Sequence, residues 1–286
     1  MIKLLSANFL RLRKNRVFWG AMVCCIALGV LAALGEFQAQ VSMGADLSVP
    51  EVAQYKALLE RQFFEYAAFI GILAGAFTPL FFGTEYSDGA IRNKIIVGQS
   101  RLSIYFANLI TDFAASLACM ASYMLSCLAV GTPLLGWFTK PASLILTAVG
   151  GSVLMLAAFC AIFTFVTMNI SRKSNAVVVC VLGVFLIFIL AIYLYSRLDA
   201  PEFIEGYTLS INGEIVAMEP EPNPNYLTGA KREVYQFIFD LLPTGQSIQY
   251  TGLIFTDPAR LMGLSAAVAV LFSGVGAALF RRKDLK

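Results

Sequence analysis

Six stretches of the chain stay apolar long enough to cross a bilayer, and the charged residues fall between them. They run from Val17 to Gly35, Phe63 to Phe82, Ile104 to Val130, Ser143 to Met168, Ala176 to Tyr195 and Leu261 to Phe280. A bilayer core takes about 20 mostly apolar residues of helix, so each stretch predicts one transmembrane span. Ahead of the first, Ile2, Leu5, Phe9 and Leu12 recur at helical spacing among Lys3, Arg11, Arg13, Lys14 and Arg16. This pattern predicts a helix lying on the membrane surface over residues 1–16, its cations reaching lipid phosphates. The first apolar run is longer than a signal-peptide core and is followed by no convincing cleavage site, so it is expected to be a retained span.

Two outer segments break the pattern. The first, roughly residues 36–62, has a short helical stretch around 51–60. The second is long, residues 196–260. Tyr207–Ile211 and Glu214–Met218 flank Asn212-Gly213, the dipeptide of a tight hairpin turn. A proline-rich run over 219–225 reads as a stiff connector. Lys231 to Leu242 then places Val234, Phe237, Ile238 and Leu241 on one helical face, which predicts a helix packed on the outer mouth or dipping into the bilayer. Leu242-Pro-Thr-Gly is not a sortase signal, because no residue separates its proline from its threonine.

Composition supports lipid as part of the solvent. Of 286 residues, 58% are hydrophobic and only 14% charged, with mean hydropathy +0.74. Soluble domains carry about 25% charged residues. The fold class expected is therefore an all-α integral membrane protein, with residues 1–286 forming one transmembrane domain. All six cysteines lie inside apolar stretches, which argues against a disulfide framework or a zinc site, and histidine is absent. No metal ligand set and no histidine-based catalytic triad is expected.

Charge sets the orientation. With six spans, one side receives 14 of the 21 lysines and arginines, including the basic N-terminus, Arg92, Lys94, Arg101, Arg172, Lys173 and the tail, against Glu85, Asp88 and Asp284. The other receives seven cations and thirteen acids, with Glu65 and Asp112 counted inside spans. Cytoplasmic loops carry the excess of positive charge, so both termini are expected in the cytoplasm of a cell-membrane protein. Trp19, Trp137, Tyr193 and Tyr195 sit at span ends, as belt residues do.

The most informative segment joins the second and third spans, residues 84–101 and their flanks. Ser87 reads as an N-cap, Asp88 suits the positive start of a helix, and Gly98 is a stop. Ile91 and Ile95 share a face while Arg92, Asn93 and Lys94 point elsewhere, which predicts a short surface helix across two span ends. Phe82, Gly83, Glu85, Tyr86, Gly89, Ala90, Ile91, Arg92, Asn93 and Lys94, followed by Gly98, Ser100, Arg101, Tyr105, Ala107 and Asn108, form a pattern that resembles the permease subunits of type 2 ABC exporters, in particular the bacterial branch that handles peptides, antibiotics and other drugs. The six-span plan, the basic N-terminal helix and the Arg281-Arg282-Lys283-Asp284 tail are also similar to that family.

The resemblance implies that residues 84–101 are a coupling helix docking into an ATP-binding subunit, with Glu85, Tyr86, Asp88, Gly89, Ile91, Arg92, Lys94, Gly98 and Arg101 carrying the coupling. It implies an elbow role for residues 1–16 and a gate-like role for the outer helix. It implies two copies of the ATPase as partners, a second copy of this permease or a similar one, membrane lipid around them, and no nucleic acid. ATP and magnesium would sit on the partner. This chain has no Gly-Lys pair, so it lacks the phosphate-binding loop, and it lacks the Leu-Ser-Gly-Gly-Gln signature. It is expected to be a transport subunit and not itself an enzyme.

Inside the third span, Asn108, Asp112, Ser116, Cys119, Tyr123 and Ser126 form a weakly polar stripe. An unpaired charge is costly there. The stripe reads either as a lining of the substrate path or as an internal pair, with Arg101 or Arg172 as partners for Asp112. Small residues every fourth position, Gly71 and Gly75 or Ser265, Ala269, Ser273 and Ala277, permit close helix packing within or between subunits. The alternatives to an ATP-driven permease are an ion-gradient transporter, for which Asp112 is the supporting feature, and a sensing or immunity protein that moves nothing.

Overall fold

A computed structural model of the chain describes residues 1–44, 58–204, 208–211, 214–217, 220–255 and 257–283. It is an all-α integral membrane protein. Helix α1 (Ile2–Arg13) precedes the first span, α2 (Arg16–Gly44). A short α3 (Leu59–Phe63) runs into the second span, α4 (Tyr66–Phe82). Two short helices, α5 (Thr84–Ser87) and α6 (Ala90–Ile96), lead to α7 (Arg101–Leu135), α8 (Ala142–Asn169) and α9 (Lys173–Leu198). Among the described residues six helices are long and apolar enough to cross a membrane, the sixth being the last helix of the chain.

Helix ends follow local chemistry. Ser100 caps α7, its hydroxyl accepting the Ser103 amide at 3.1 Å. At the far end of the chain, α12 (Pro258–Arg282) starts with proline at its first position, behind an Asp257 carboxylate that accepts the Arg260 amide at 3.0 Å.

The predicted interfacial stripe on α1 is only half of its pattern. Ile2 and Phe9 are exposed, as an interfacial helix requires, but a second face with Leu4, Asn8 and Leu12 is buried against the bundle. The helix is thus fastened to the protein through a buried asparagine, with its other side exposed.

Small residues let α4 and α8 approach. A side chain at Gly71 would stand 2.7 Å from the Phe159 ring, and one at Gly75 would stand 3.1 Å from Phe163. The two rings stack on each other with centroids 5.8 Å apart. Of the two packing roles open to these glycines, the one seen is intrachain: they seat an aromatic ladder from the neighbouring span.

Among the described residues the long outer segment holds four strands. β1 (Phe203–Ile204) pairs with β4 (Glu221–Pro222), and β2 (Thr208–Ile211) pairs with β3 (Glu214–Ala217), both antiparallel. The register Ile211 with Glu214 is the one a two-residue turn demands; the turn itself, 212–213, lies outside the described residues. Part of the run read as a connector, Glu221–Pro222, is instead a ladder partner. The helix expected around 51–60 falls largely outside the described residues, and α3 begins at its end.

Helix α10 (Gly229–Leu241) forms where expected, but its apolar face is not the one packed on the protein. Val234, Phe237 and Ile238 are exposed, and it is Phe239 and Asp240 that are buried, beside Leu194 and Leu198 of α9. The reason is the next helix, which hydropathy does not reveal: α11 (Pro243–Gly252) inserts against α4, α8 and α9. It buries Thr244, Gln246, Ser247, Gln249 and Tyr250, and Asp240 turns inward to meet it.

Candidate functional site: a platform at the terminal end of the bundle

The segment between α4 and α7 folds as two short helices, not one. Ser87 does not cap the second; its hydroxyl turns back to the Thr84 carbonyl at 3.0 Å, and Asp88 lies in the turn. Gly89 precedes α6 with φ +68°, a left-handed value that glycine adopts without a Cβ penalty, and this reverses the chain between α5 and α6. Gly98 does stop the helix. At φ +85° its amide reaches the Ile95 carbonyl at 2.9 Å, and the Gln99 amide reaches Lys94 at 3.1 Å, the paired bonds of a Schellman cap.

Ile91 is buried and Ile95 packs beside it, in a cluster with Leu4, Ile104, Tyr105, Met168, Ala277 and Phe280. Residues of α1, α7, α8 and α12 therefore share one apolar cluster with the inner face of α6. The outer face carries exposed Arg92 and Asn93. Beyond them Ile96 and Val97 are 75% and 77% exposed, an apolar tip that the chain itself leaves uncovered.

Glu85 departs from its expected position. The resemblance assigns it to coupling on a surface segment, but its side chain is wholly buried between two cations. Arg11 of α1 donates to it, and Lys94 of α6 donates to the same oxygen at 2.6 Å. Asn108 of α7 donates to the other oxygen at 3.0 Å, while accepting from Asn8 of α1 at 2.8 Å. Arg11 also donates to the Phe81 carbonyl at 3.0 Å and lies 4.1 Å over the Phe81 ring. One carboxylate thus ties α1, α6 and α7, and Arg11 extends the network to α4. Burying it is tolerable because it is doubly paired and hydrogen-bonded.

A second knot joins the C-terminal end. The Tyr86 hydroxyl donates to the Met168 carbonyl, and the Lys283 amine donates to Tyr86 at 3.0 Å and Met168 at 3.2 Å. Burial lowers the Lys283 amine to about 8. The Arg101 guanidinium donates to the carbonyls of Arg281 at 3.1 Å and of Lys283. Those carbonyls are orphans at the end of α12, and a cation there also meets the negative end of the helix dipole.

The polar stripe predicted on α7 divides. Asn108 joins the Glu85 network. Asp112, fully buried, takes hydroxyls: Thr78 at 2.9 Å from each carboxyl oxygen and Thr164 at 3.3 Å. Neither Arg101, bound to α12, nor the exposed Arg172 pairs with it. The Ser116 hydroxyl is buried beside the Cys160 thiol.

Sequence reasoning passed over Arg11, Asn8 and Lys283 as platform residues, because basic flanks read simply as charge. It also missed the outer polar cluster. Asp240 pairs with Arg260 at 3.2 Å and accepts from Gln236 at 2.7 Å and Gln249 at 3.0 Å, while Gln246 donates to the Asp240 carbonyl at 2.8 Å and accepts from Ser265. The available signal was the run Gln246-Ser-Ile-Gln-Tyr, too polar for a span and too close to one to be free.

Among curated proteins, no match to this chain is found. The family described as ABC-2 family transporter protein matches residues 4–190, which take in α1, the α5–α6 platform and the first five spans almost to the end of α9. This match covers more than half of the chain and includes every residue of the Glu85 network, and the chain belongs to the ABC-2 transporter family.

Proposed function

We propose that this chain is the permease subunit of an ATP-driven exporter, its α5–α6 segment docking onto a separate ATP-binding subunit. The observation that carries this reading is the two-sidedness of α6. Its inner face, with Ile91 buried, joins a cluster to which α1, α7, α8 and α12 contribute, while its outer face ends in the uncovered Ile96–Val97 tip beside Arg92. A surface with an apolar centre and a guanidinium at its rim is what a protein partner takes up. Movement of that partner would be passed by Glu85, Arg11 and Asn108 to α1 and α7, and by Tyr86, Lys283 and Arg101 to α8 and α12. ATP and magnesium belong to the partner, of which two copies would serve two permease chains or one chain and a similar permease. The whole chain acts as one permease domain in the cell membrane, with its termini in the cytoplasm. Acidic outer loops favour a cationic or amphipathic cargo, such as a peptide or an antibiotic.

The test replaces the tip without touching the buried network. In the assembled complex, Arg92→Ala with Ile96→Ser and Val97→Ser should abolish substrate-stimulated ATP hydrolysis, while the permease remains folded in the membrane. Losing an interface anchor costs at least about 2 kcal/mol, or roughly 30-fold in affinity. Full stimulated hydrolysis and full transport by the triple variant would refute docking at α6.

A further inference from the structure

Asp112 lies on α7 about 16 Å along the helix from Arg101, at 1.5 Å per residue. Its carboxyl is shielded completely, and the side chains around it are neutral. Thr78 faces it from α4 and Thr164 from α8. Cys160 of α8 and Cys180 of α9 are the titratable groups that face it. Of the other helices packed on α7, none among the described residues brings a lysine, arginine or acid to interact with it. A carboxylate with no counter-charge is rarely kept inside a span.

The hydrogen count points the same way. Thr78 has one hydroxyl proton and three oxygens within reach: the Ala74 carbonyl at 2.8 Å and both carboxyl oxygens at 2.9 Å. In a membrane helix a threonine hydroxyl commonly gives its proton to the carbonyl four residues back. Thr78 then turns lone pairs toward Asp112, and two oxygens meeting lone pair to lone pair repel unless the acid supplies the hydrogen. With Asp112 as a neutral acid, the Thr78 hydroxyl, the Ala74 carbonyl and the carboxyl group are all satisfied, and the Cys160 thiol is a further hydrogen-bond partner of the carboxyl. Its own hydroxyl donates to Thr78, Thr78 donates to Ala74, and Thr164 donates to the remaining carboxyl oxygen.

We propose that Asp112 is a membrane-embedded proton-binding site, occupied at neutral pH and closed by α4 and α8. The proton leaves only when water enters between these helices, passing to that water and leaving a carboxylate. Proton release is therefore tied to separation of α4 and α8 from α7. The site stands whether or not α6 docks an ATPase, since it rests on groups inside the spans alone.

Infrared spectroscopy of the full chain in phospholipid nanodiscs tests it, with carbon-13 aspartate incorporated. Asp240, the other buried aspartate among the described residues, is paired with Arg260, so it is not a competing neutral acid. The wild-type chain should show the carbonyl stretch of a protonated carboxylic acid at neutral pH, shifted by the label. That measurement needs no variant. Asp112→Asn, which keeps shape and can still bond Thr78, should then abolish the band. The absence of a label-sensitive acid band in the wild type would overturn the proposal, as would its survival in Asp112→Asn. Loss of the band when potassium is replaced by sodium would mean that a metal cation binds a carboxylate there, and would also overturn it.

Discussion

Glu85 and Arg92 stand seven positions apart in one short segment, and their chemistry is opposite. Glu85 has no exposed side-chain surface and is held by Arg11 and Lys94, whereas Arg92 is exposed. Removing one partner of a buried pair leaves uncompensated charge and costs about 3–5 kcal/mol, whereas exposed substitutions stay within about 0.5 kcal/mol. Glu85→Ala should therefore lower the thermal unfolding midpoint of the purified permease markedly, and Arg92→Ala should leave it near wild type. Equal midpoints for the two variants would mean that the Glu85 network does not hold the platform together. The sequence shows both charges but not which one turns inward. That choice depends on Arg11 and Asn108 arriving from positions 74 residues before and 23 residues after Glu85.

Among the elements, the spans were legible and the packing between them only partly so. Glycines illustrate the difference. Gly71 and Gly183 both lie in apolar helices, yet a Cβ at Gly71 would strike the Phe159 ring, while nothing lies within 4 Å of one at Gly183. Overpacking a filled contact costs about 1–3 kcal/mol. Gly71→Ala should accordingly destabilise the bundle by that amount in a denaturation series, with Gly183→Ala within about 0.5 kcal/mol of wild type. A neutral Gly71→Ala would show that the Phe159–Phe163 ladder can shift at little cost. The outer elements were read least well. The apolar face of α10 is left exposed; α10 meets α9 through Phe239, and α11 packs beside both, presenting glutamines and hydroxyls that only tertiary neighbours can satisfy. Helical periodicity reports which side of a helix is apolar, not whether protein or lipid will cover it.

On the scale of the whole molecule, the platform joins both ends of the chain. Arg11 near the N-terminus and Lys283 near the C-terminus reach residues 85 and 86, so the two termini share one end of the bundle. With positive charge concentrated there, the orientation rule predicts a cytoplasmic position for that end. Tags on either terminus should be protected from impermeant reagents in intact cells, and a tag inserted at Asn223 should be labelled. Labelling of a terminal tag with protection at Asn223 would reverse the orientation.

Length and hydropathy by themselves determined the number of spans and their approximate limits, because a segment of about 20 apolar residues has one stable solution in a bilayer. The ordered motif from Phe82 to Asn108 carried the family, and glycine at 98 carried the end of α6, since these are local properties. Tertiary structure alone decided that Glu85 lies inside, that Asp112 meets threonines instead of arginines, and that residues 243–252 enter the bundle. Each of these depends on which polar partner is brought within about 3 Å by a distant part of the chain. In a medium that offers few other partners, that proximity settles where a polar side chain goes.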